Sequence, residues 1–317
     1  MKRVLLHSSE AGMAAQIYAI KNLVKNKSFI LDFSIFDDAQ LLIKEPSCSL
    51  TKNHELFICG FDNLEKDISS KFIAKASSMK VPSLGILDSW KGIDRFFKNG
   101  KLSRKLTDYV LVPDESCKKY LEKRDFEKKI LVFEDFAKKY FVDKLSKNTS
   151  FVTESKKKAK LSENNKIALI LSEPIITSEG TRSLIELIEK QSNYKAKNFF
   201  DELIPNSYTK IFRFHPKENI NKNFYTKNNL TIYEALSIAD LVIGLSSTPL
   251  FYAASGGKKI ISLENYLSEW MPEQSNIPEE IWESVKGKLK NDFKEGNKNT
   301  INVDNLFKIH ESISIDN

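Results

Sequence analysis

Short apolar runs rich in Val, Ile, Leu and Phe recur along the chain, each separated from the next by an amphipathic segment of helix length. Few folds accept that rhythm. A strand buried on both faces of a parallel sheet reads as a continuous apolar run, and each parallel connection needs a crossover, usually a helix. The first half predicts strands at Val4–His7, Phe29–Phe36, Leu56–Cys59, Ser83–Leu87, Tyr109–Val112 and Ile130–Phe133. Helices are predicted at Ala14–Val24, Glu65–Ala76 and Glu115–Lys123, the first with Ile17, Ile20, Leu23 and Val24 on one face.

The pattern breaks over 142–165, where Lys, Ser, Asn, Thr and Glu crowd out apolar positions, and it restarts at Ile167–Leu171. The second half predicts strands at Lys210–Phe214, Leu230–Ile232, Leu241–Gly244 and Lys259–Leu263, and helices at Thr181–Gln191, Tyr233–Ala239 and from Thr248. Further helices are predicted at Glu279–Lys290 and Val303–Ile313. The expected organisation is α/β: a Rossmann-like domain over 1–141, a linker over 142–165 and a second Rossmann-like domain over 166–317 with terminal helices. Both are doubly wound and are expected to face each other across a cleft. Open α/β sheets bind ligands beyond the carboxyl ends of their strands, so those ends hold the candidate residues.

With 317 residues, 41% of them hydrophobic, the chain can bury two cores of ordinary size. Its 49 Lys+Arg against 42 Asp+Glu leave a net charge of +7, with many lysines in loops and in the segment holding Lys156, Lys157, Lys158 and Lys160. That scatter speaks against a dedicated nucleic-acid binder. It suits a solvated lysine-rich surface, or a basic face turned to anionic lipid or a phosphate-bearing ligand. Cys48, Cys59 and Cys117 form no C-x-x-C pair, as expected in a reducing cytoplasm. No signal peptide is evident, and no window approaches the roughly 18 to 20 apolar residues that span a bilayer. The expected location is cytoplasmic, with any membrane contact peripheral and at the inner face.

The most informative stretch runs from Tyr233 through Asp240, Gly244, Ser246, Ser247, Thr248 and Pro249 to Gly256 and Lys258. It predicts helix, strand, hydroxyl-rich turn and helix. Pro249 suits a first helical turn, and the hydroxyls supply a cap and donors. Backbone N–H groups and the positive end of the helix dipole there favour an anion, so Ser246, Ser247 and Thr248 are the candidate phosphate ligands. Arg213-Phe-His215-Pro216-Lys217 also ends a predicted strand, and Pro216 restricts His215 to extended backbone outside the sheet. Its ring can donate to a phosphate or a leaving group, whereas His54 and His310 read as structural. Glu234, at the start of a helix, can accept both hydroxyls of a ribose or serve as an ordinary N-terminal acid.

The His-Pro pair and the Ser-Ser/Thr turn, over roughly residues 208–262, resemble those of bacterial sialyltransferases and related Kdo-type transferases of GT-B fold. The resemblance implies a GT-B architecture. It also implies that His215, Ser246 and Ser247 hold the phosphate of a CMP-sugar and that Glu234 holds the cytidine ribose.

An inverting transferase without a metal needs a general base opposite the departing phosphate. Asp88, directly after a predicted strand in Leu87-Asp88-Ser89-Trp90-Lys91-Gly92, is the candidate. The sialyltransferase-like families carry an Asp-Asp-Gly type motif at the corresponding place, from which Asp88-Ser89-Trp90 departs; a helix cap or a partner for Arg95 is the plainer role. Trp90 can stack on a sugar or simply pack. Ser8, Ser9 and Gly12, in the turn after the first strand, and Ser172, with Pro216, are the remaining candidate contacts. No G-x-G-x-x-G, G-K-[ST] or D-x-D motif is evident, so no cofactor and no metal is expected.

The expected reaction is transfer of a sialic acid-like or Kdo-like sugar from a CMP donor to a glycan acceptor in surface polysaccharide or lipooligosaccharide synthesis, the acceptor being lipid-linked by analogy. Two rivals remain: a UDP-sugar epimerase or hydrolase of the same architecture, and a non-catalytic nucleotide- or polyanion-binding protein.

Overall fold

The computed structural model describes residues 1–24, 28–62, 68–98, 101–124, 126, 128–147, 149–177, 180–192, 196–215, 218, 230–245, 247–263 and 306–307. The chain divides into two compact units, the first spanning Met1–Tyr140 and including Leu306 and Phe307, the second beginning at Phe141. No helix among the described residues is long and apolar enough to cross a membrane.

The first unit contains strands β1 (Lys2–Ser8), β2 (Phe29–Ile35), β3 (Leu56–Gly60), β4 (Ser83–Ile86), a short antiparallel hairpin of β5 (Phe97–Lys98) and β6 (Lys101–Leu102), then β7 (Tyr109–Val112) and β8 (Lys129–Val132). Its main sheet is parallel throughout, in the order β2-β1-β3-β4-β7-β8. Helices α1 (Ala11–Leu23), α2 (Ile68–Met79) and α3 (Glu115–Glu122) provide crossovers, and α4 (Phe136–Lys147) carries the chain past Tyr140. Leu5, Leu6, Phe57, Ile58, Leu84, Ile86, Val110 and Leu111 are fully buried, which accounts for the unbroken apolar runs in these strands.

The second unit holds β9 (Lys166–Leu171), β12 (Tyr208–Arg213), β13 (Leu241–Gly244) and β14 (Lys259–Ser262) in a parallel sheet of order β12-β9-β13-β14. A hairpin of β10 (Pro174–Thr177) and β11 (Gly180–Ser183) precedes α6 (Leu184–Ser192) and α7 (Ala196–Leu203). Ile170, Leu184, Ile188, Phe200, Ile243 and Leu263 centre the core. The sheets share one device: β1 lies between β2 and β3, and β9 lies between β12 and β13. In each, the connections leave in opposite directions from the first strand, which opens a crevice at its carboxyl end.

Three expectations change. The polar stretch placed as a linker over 142–165 is helical for much of its length, in α4 and in α5 (Thr149–Lys158). Helix α5 packs along α8 (Ile232–Ile238) with Ser155 buried, so a narrow inward stripe suffices where overall composition reads as solvent-facing. The predicted strand Leu230–Ile232 is instead the start of α8, because Thr231 and Glu234 form a capping box. Leu306 and Phe307, expected in the second domain, belong to the first, where the Phe307 ring stacks on Phe29 at 4.6 Å. The remainder of the predicted terminal helices lies outside the described residues.

Candidate active site

At the carboxyl edge of the first sheet, β1 runs into Ser8, Ser9 and Glu10 before α1, β3 into Phe61 and Asp62, and β4 into Leu87 and Asp88. Ser8 Oγ donates to the Glu10 carbonyl at 2.8 Å. Ser9 Oγ donates to Asp62, whose other carboxylate oxygen accepts from the Ser69 N–H at 2.6 Å. Hydroxyl, carboxylate and the start of α2 are thus joined across the β1–β3 crevice.

Arg95, on the 3-10 turn Trp90–Phe96, organises the acids around it. Its guanidinium lies 3.0 Å from Glu10, donates to the Phe61 carbonyl at 2.7 Å and reaches to 4.0 Å from Asp88. Arg104, buried beneath, donates to the Asp62 carbonyl at 2.7 Å and to Ser69 Oγ at 3.0 Å. Asp88 keeps 15% of its side-chain surface exposed and lies against Gly12, where a β-carbon would be 1.6 Å from Oδ2. Burial raises the Asp88 carboxyl above its usual range; Arg95 opposes the rise, while Glu10 and Asp135 add to it. His7, also near the end of β1, is fully buried, stacks on Phe72 at 4.3 Å and is pushed down to about 4 by burial, against the opposing pull of Asp62.

In the second unit, Ser172 directly follows β9, His215 lies two residues beyond β12 and Ser247 three residues beyond β13. Ser172 Oγ donates to Glu218 at 2.6 Å, and the other Glu218 oxygen accepts the His215 backbone N–H at 2.6 Å. Glu218 N–H returns to the His215 carbonyl at 2.9 Å. Burial raises the Glu218 carboxyl, against the pull of Ser172 and the His215 amide. Helix α9 (Thr248–Ser255) begins after Ser247, its N-cap, with Pro249 in the first turn. The Ser247 hydroxyl makes no capping bond; it is buried without a hydrogen-bond partner. Gly244 lets β13 approach β9, since a β-carbon there would already lie 3.3 Å from Leu171 Cβ.

No protein-family model matches the chain, and no curated protein matches it. Solved structures do. A UDP-GlcNAc 2-epimerase from Neisseria meningitidis bound to UDP-GlcNAc superposes with a TM-score of 0.57 at 15% identity, covering 100% of both chains. The S. aureus MnaA–UDP co-structure gives 0.54 at 13% identity over 92% of this chain and 88% of that one. A structure of the wall teichoic acid polymerase TagF with CDPG gives 0.52 at 11% identity over 99% and 88%. The fold is of the GT-B type.

Within this GT-B-type fold, Ser8, Ser9, Gly12 and Asp88 share the carboxyl edge of the first sheet. Trp90 is anchored away from free rotation by its indole N–H, which donates to Asp114 at 2.7 Å; Asp114 in turn caps α3. In the second sheet His215 and Ser247 follow strands separated by β9, and alternate strands lie about 10 Å apart. Ser172 stands between them. Thr248 opens α9 beside Ser247, whereas Ser246 and Pro216 lie outside the described residues.

Glu234 belongs to the capping box at the start of α8. Its carboxylate accepts the Thr231 N–H at 2.6 Å, and both oxygens accept from Lys158 at 2.9 Å. Burial pushes this carboxyl up, but Lys158 and Thr231 outweigh it and hold it below the usual range. Ribose hydroxyls would have to compete with that pairing. Glu10, Asp62, Arg104 and Glu218 were not singled out from sequence. Only the spacing His215-x-x-Glu218 offered a signal, a carboxylate three residues beyond a strand end, able to fold back on the backbone.

Chemically, the first edge offers a carboxyl with a raised pKa beside a guanidinium, a pairing suited to proton transfer. The second offers helix N–H groups, an unpaired hydroxyl and an imidazole-bearing strand end, a set suited to an anion.

Proposed function

We propose that the chain is a nucleotide-sugar glycosyltransferase, inverting and metal-independent, that moves a sialic acid-like or Kdo-like sugar from a CMP donor to a glycan acceptor. Asp88 takes the proton of the acceptor hydroxyl as its oxygen attacks the anomeric carbon. The bond from that carbon to the phosphate oxygen breaks, and CMP leaves with the electron pair. The α9 N-terminus, Ser247, Thr248 and His215 stabilise the charge that grows on the phosphate. Arg95 steadies the Asp88 carboxylate once it ionises, and Glu218 fixes the backbone at His215. Acceptors on lipid-linked surface glycans would bring the protein to the inner face of the membrane.

The observation that carries this reading is the unpartnered, buried Ser247 hydroxyl at the head of α9. A hydroxyl at an N-cap ordinarily closes on the helix; one left open is ready for an incoming acceptor oxygen. The GT-B-type fold supports the same class of substrate.

A UDP-sugar epimerase is the second reading. It is favoured by the likeness to the UDP-GlcNAc 2-epimerase from Neisseria meningitidis and by Glu10 and Asp88, two carboxyls on one guanidinium, suited to removing and returning a proton.

A thermal-shift panel of CMP, UDP and GDP separates the readings, because a ligand bound by the native state alone raises Tm. A selective response to CMP is expected. A response to UDP alone would move the assignment to the epimerase, and no response to any nucleotide, with salt-sensitive polyanion binding, would leave a non-catalytic binder.

A further inference from the structure

We propose that Asp32, Cys48 and His54 form a site for a borderline-soft divalent cation, with zinc(II) as the reference ion. The three lie in the first unit, away from the strand ends that carry Ser9, Asp62 and Asp88. Each presents one ligand atom, and the three atoms lie within 4.8 Å of one another. Ligand atoms around a tetrahedral zinc ion are about 3.3–3.8 Å apart, given bond lengths of about 2.0–2.3 Å. A small inward closure therefore completes three corners. A mixed carboxylate, thiolate and imidazole set is the chemistry of zinc rather than of calcium or magnesium.

The positions are set by backbone contacts. Asp32 lies on β2, and Cys48 is drawn beside that strand by the Phe33–Ser47 bridge and by its own N–H, which donates to the Phe33 carbonyl at 2.6 Å. His54 sits in the turn before β3, its N–H donating to the Thr51 carbonyl at 3.2 Å.

The imidazole supplies the second, independent observation. His54 is 4% exposed, and its Nε2 has no hydrogen-bond partner although it lies 3.2 Å from Asp32 Oδ2. The approach has ion-pair distance without hydrogen-bond alignment. Burying such a nitrogen unsatisfied is costly unless something meets it. The opposite nitrogen is provided for in either tautomer: Nδ1 accepts the Thr51 N–H at 3.1 Å, and it can instead donate to the Thr51 carbonyl at 3.2 Å. The second arrangement frees the Nε2 lone pair for a metal and holds the ring from behind, as outer-shell carbonyls do.

Arg3 pairs with both Asp32 oxygens, at 2.9 and 3.0 Å. When the cation takes Oδ2, Arg3 keeps Oδ1 and becomes an outer-shell partner. Cys48 is half-buried, so ions and solvent have access, and the fourth position falls to water or an external ligand. Binding is balanced by loss of the Cys48 proton to buffer as sulfur bonds to the metal.

The test uses the full chain, stripped with chelator and titrated with zinc by calorimetry and with cobalt(II) by absorption. Expected are one equivalent bound, proton release visible as buffer-dependent heats, and a thiolate-to-cobalt charge-transfer band. Cys48→Ser should abolish the band, and Cys48→Ser or His54→Asn should weaken zinc binding by at least about tenfold. Should either variant fail to fold, zinc protection of Cys48 from alkylation in the wild type, read by peptide mass spectrometry, replaces it. No zinc binding, a cobalt complex without the thiolate band, unchanged affinity in the folded variants or unprotected Cys48 would each overturn the proposal.

Discussion

The Asp88 carboxylate lies directly over Gly12, at the point where any other residue would place its β-carbon. The two residues are 76 positions apart in sequence (88 − 12), and neither is intelligible alone. Glycine at the start of α1 makes the space, and the acid after β4 fills it. Gly12→Ala must therefore displace Asp88. The expected cost is about 1–3 kcal/mol in urea denaturation, as for other overpacked sites. If Asp88 is the base, turnover should fall at least tenfold on the order of a misplaced catalytic group, with nucleotide affinity preserved.

Asp88 also makes a pH prediction. Its folded pKa is raised by burial, so the contribution of this group to stability is fully present below the unfolded pKa and is lost as pH rises through the folded value. Asp88→Asn removes that loss. Its stability relative to wild type should increase as pH climbs from the ordinary carboxylate range through the raised value, measured by urea melts across pH. Wild-type transfer should rise over the same window as the base ionises, and the Asn variant should bind CMP without turnover.

Ser247→Ala separates a capping serine from a ligand-binding one. A working N-cap lost to alanine costs about 0.5–2 kcal/mol. Because the Ser247 hydroxyl makes no capping bond, the expected change in stability is within about 0.5 kcal/mol, accompanied by a clear loss of the CMP-induced shift in Tm. A large fall in stability with an intact shift would return Ser247 to the scaffold.

Glu218→Ala should cost roughly 2–4 kcal/mol, because it leaves the Ser172 hydroxyl and the His215 amide without their charged acceptor. Glu218→Gln should recover much of that, since its carbonyl accepts the amide and the serine hydroxyl can turn to accept. Denaturant melts of the pair read the difference, and donor binding should follow the same order.

Much of the architecture was legible because burial on both faces writes itself into the strands: Leu5, Phe57, Ile86 and Val110 could hardly sit elsewhere. The edge residues after β1, β4, β9, β12 and β13 were legible for the same reason, since a strand end fixes where its loop emerges. Contacts made across long stretches of chain were not. Nothing near Ser9 announces Asp62, and nothing near Gly12 announces Asp88. Helix α5 was read as linker because Lys156, Lys157 and Lys158 dominate its composition, although its inward face needs only a few small or apolar residues. The strand expected at Leu230–Ile232 failed because Thr231 and Glu234 satisfy each other as a cap, a local bond that outcompetes β-branched propensity.

The strap from Ser47 to Cys48 has a consequence for the company this protein keeps. Strand β2 ends its sheet, and an end strand with vacant amides and carbonyls invites a foreign strand to dock. Here the Phe33 carbonyl is taken by the Cys48 N–H, and the Ile35 N–H donates to Ser47 Oγ at 3.3 Å. Two rungs of the outermost ladder are thereby closed from within the molecule, which leaves an incoming strand no partner at those two positions of that border.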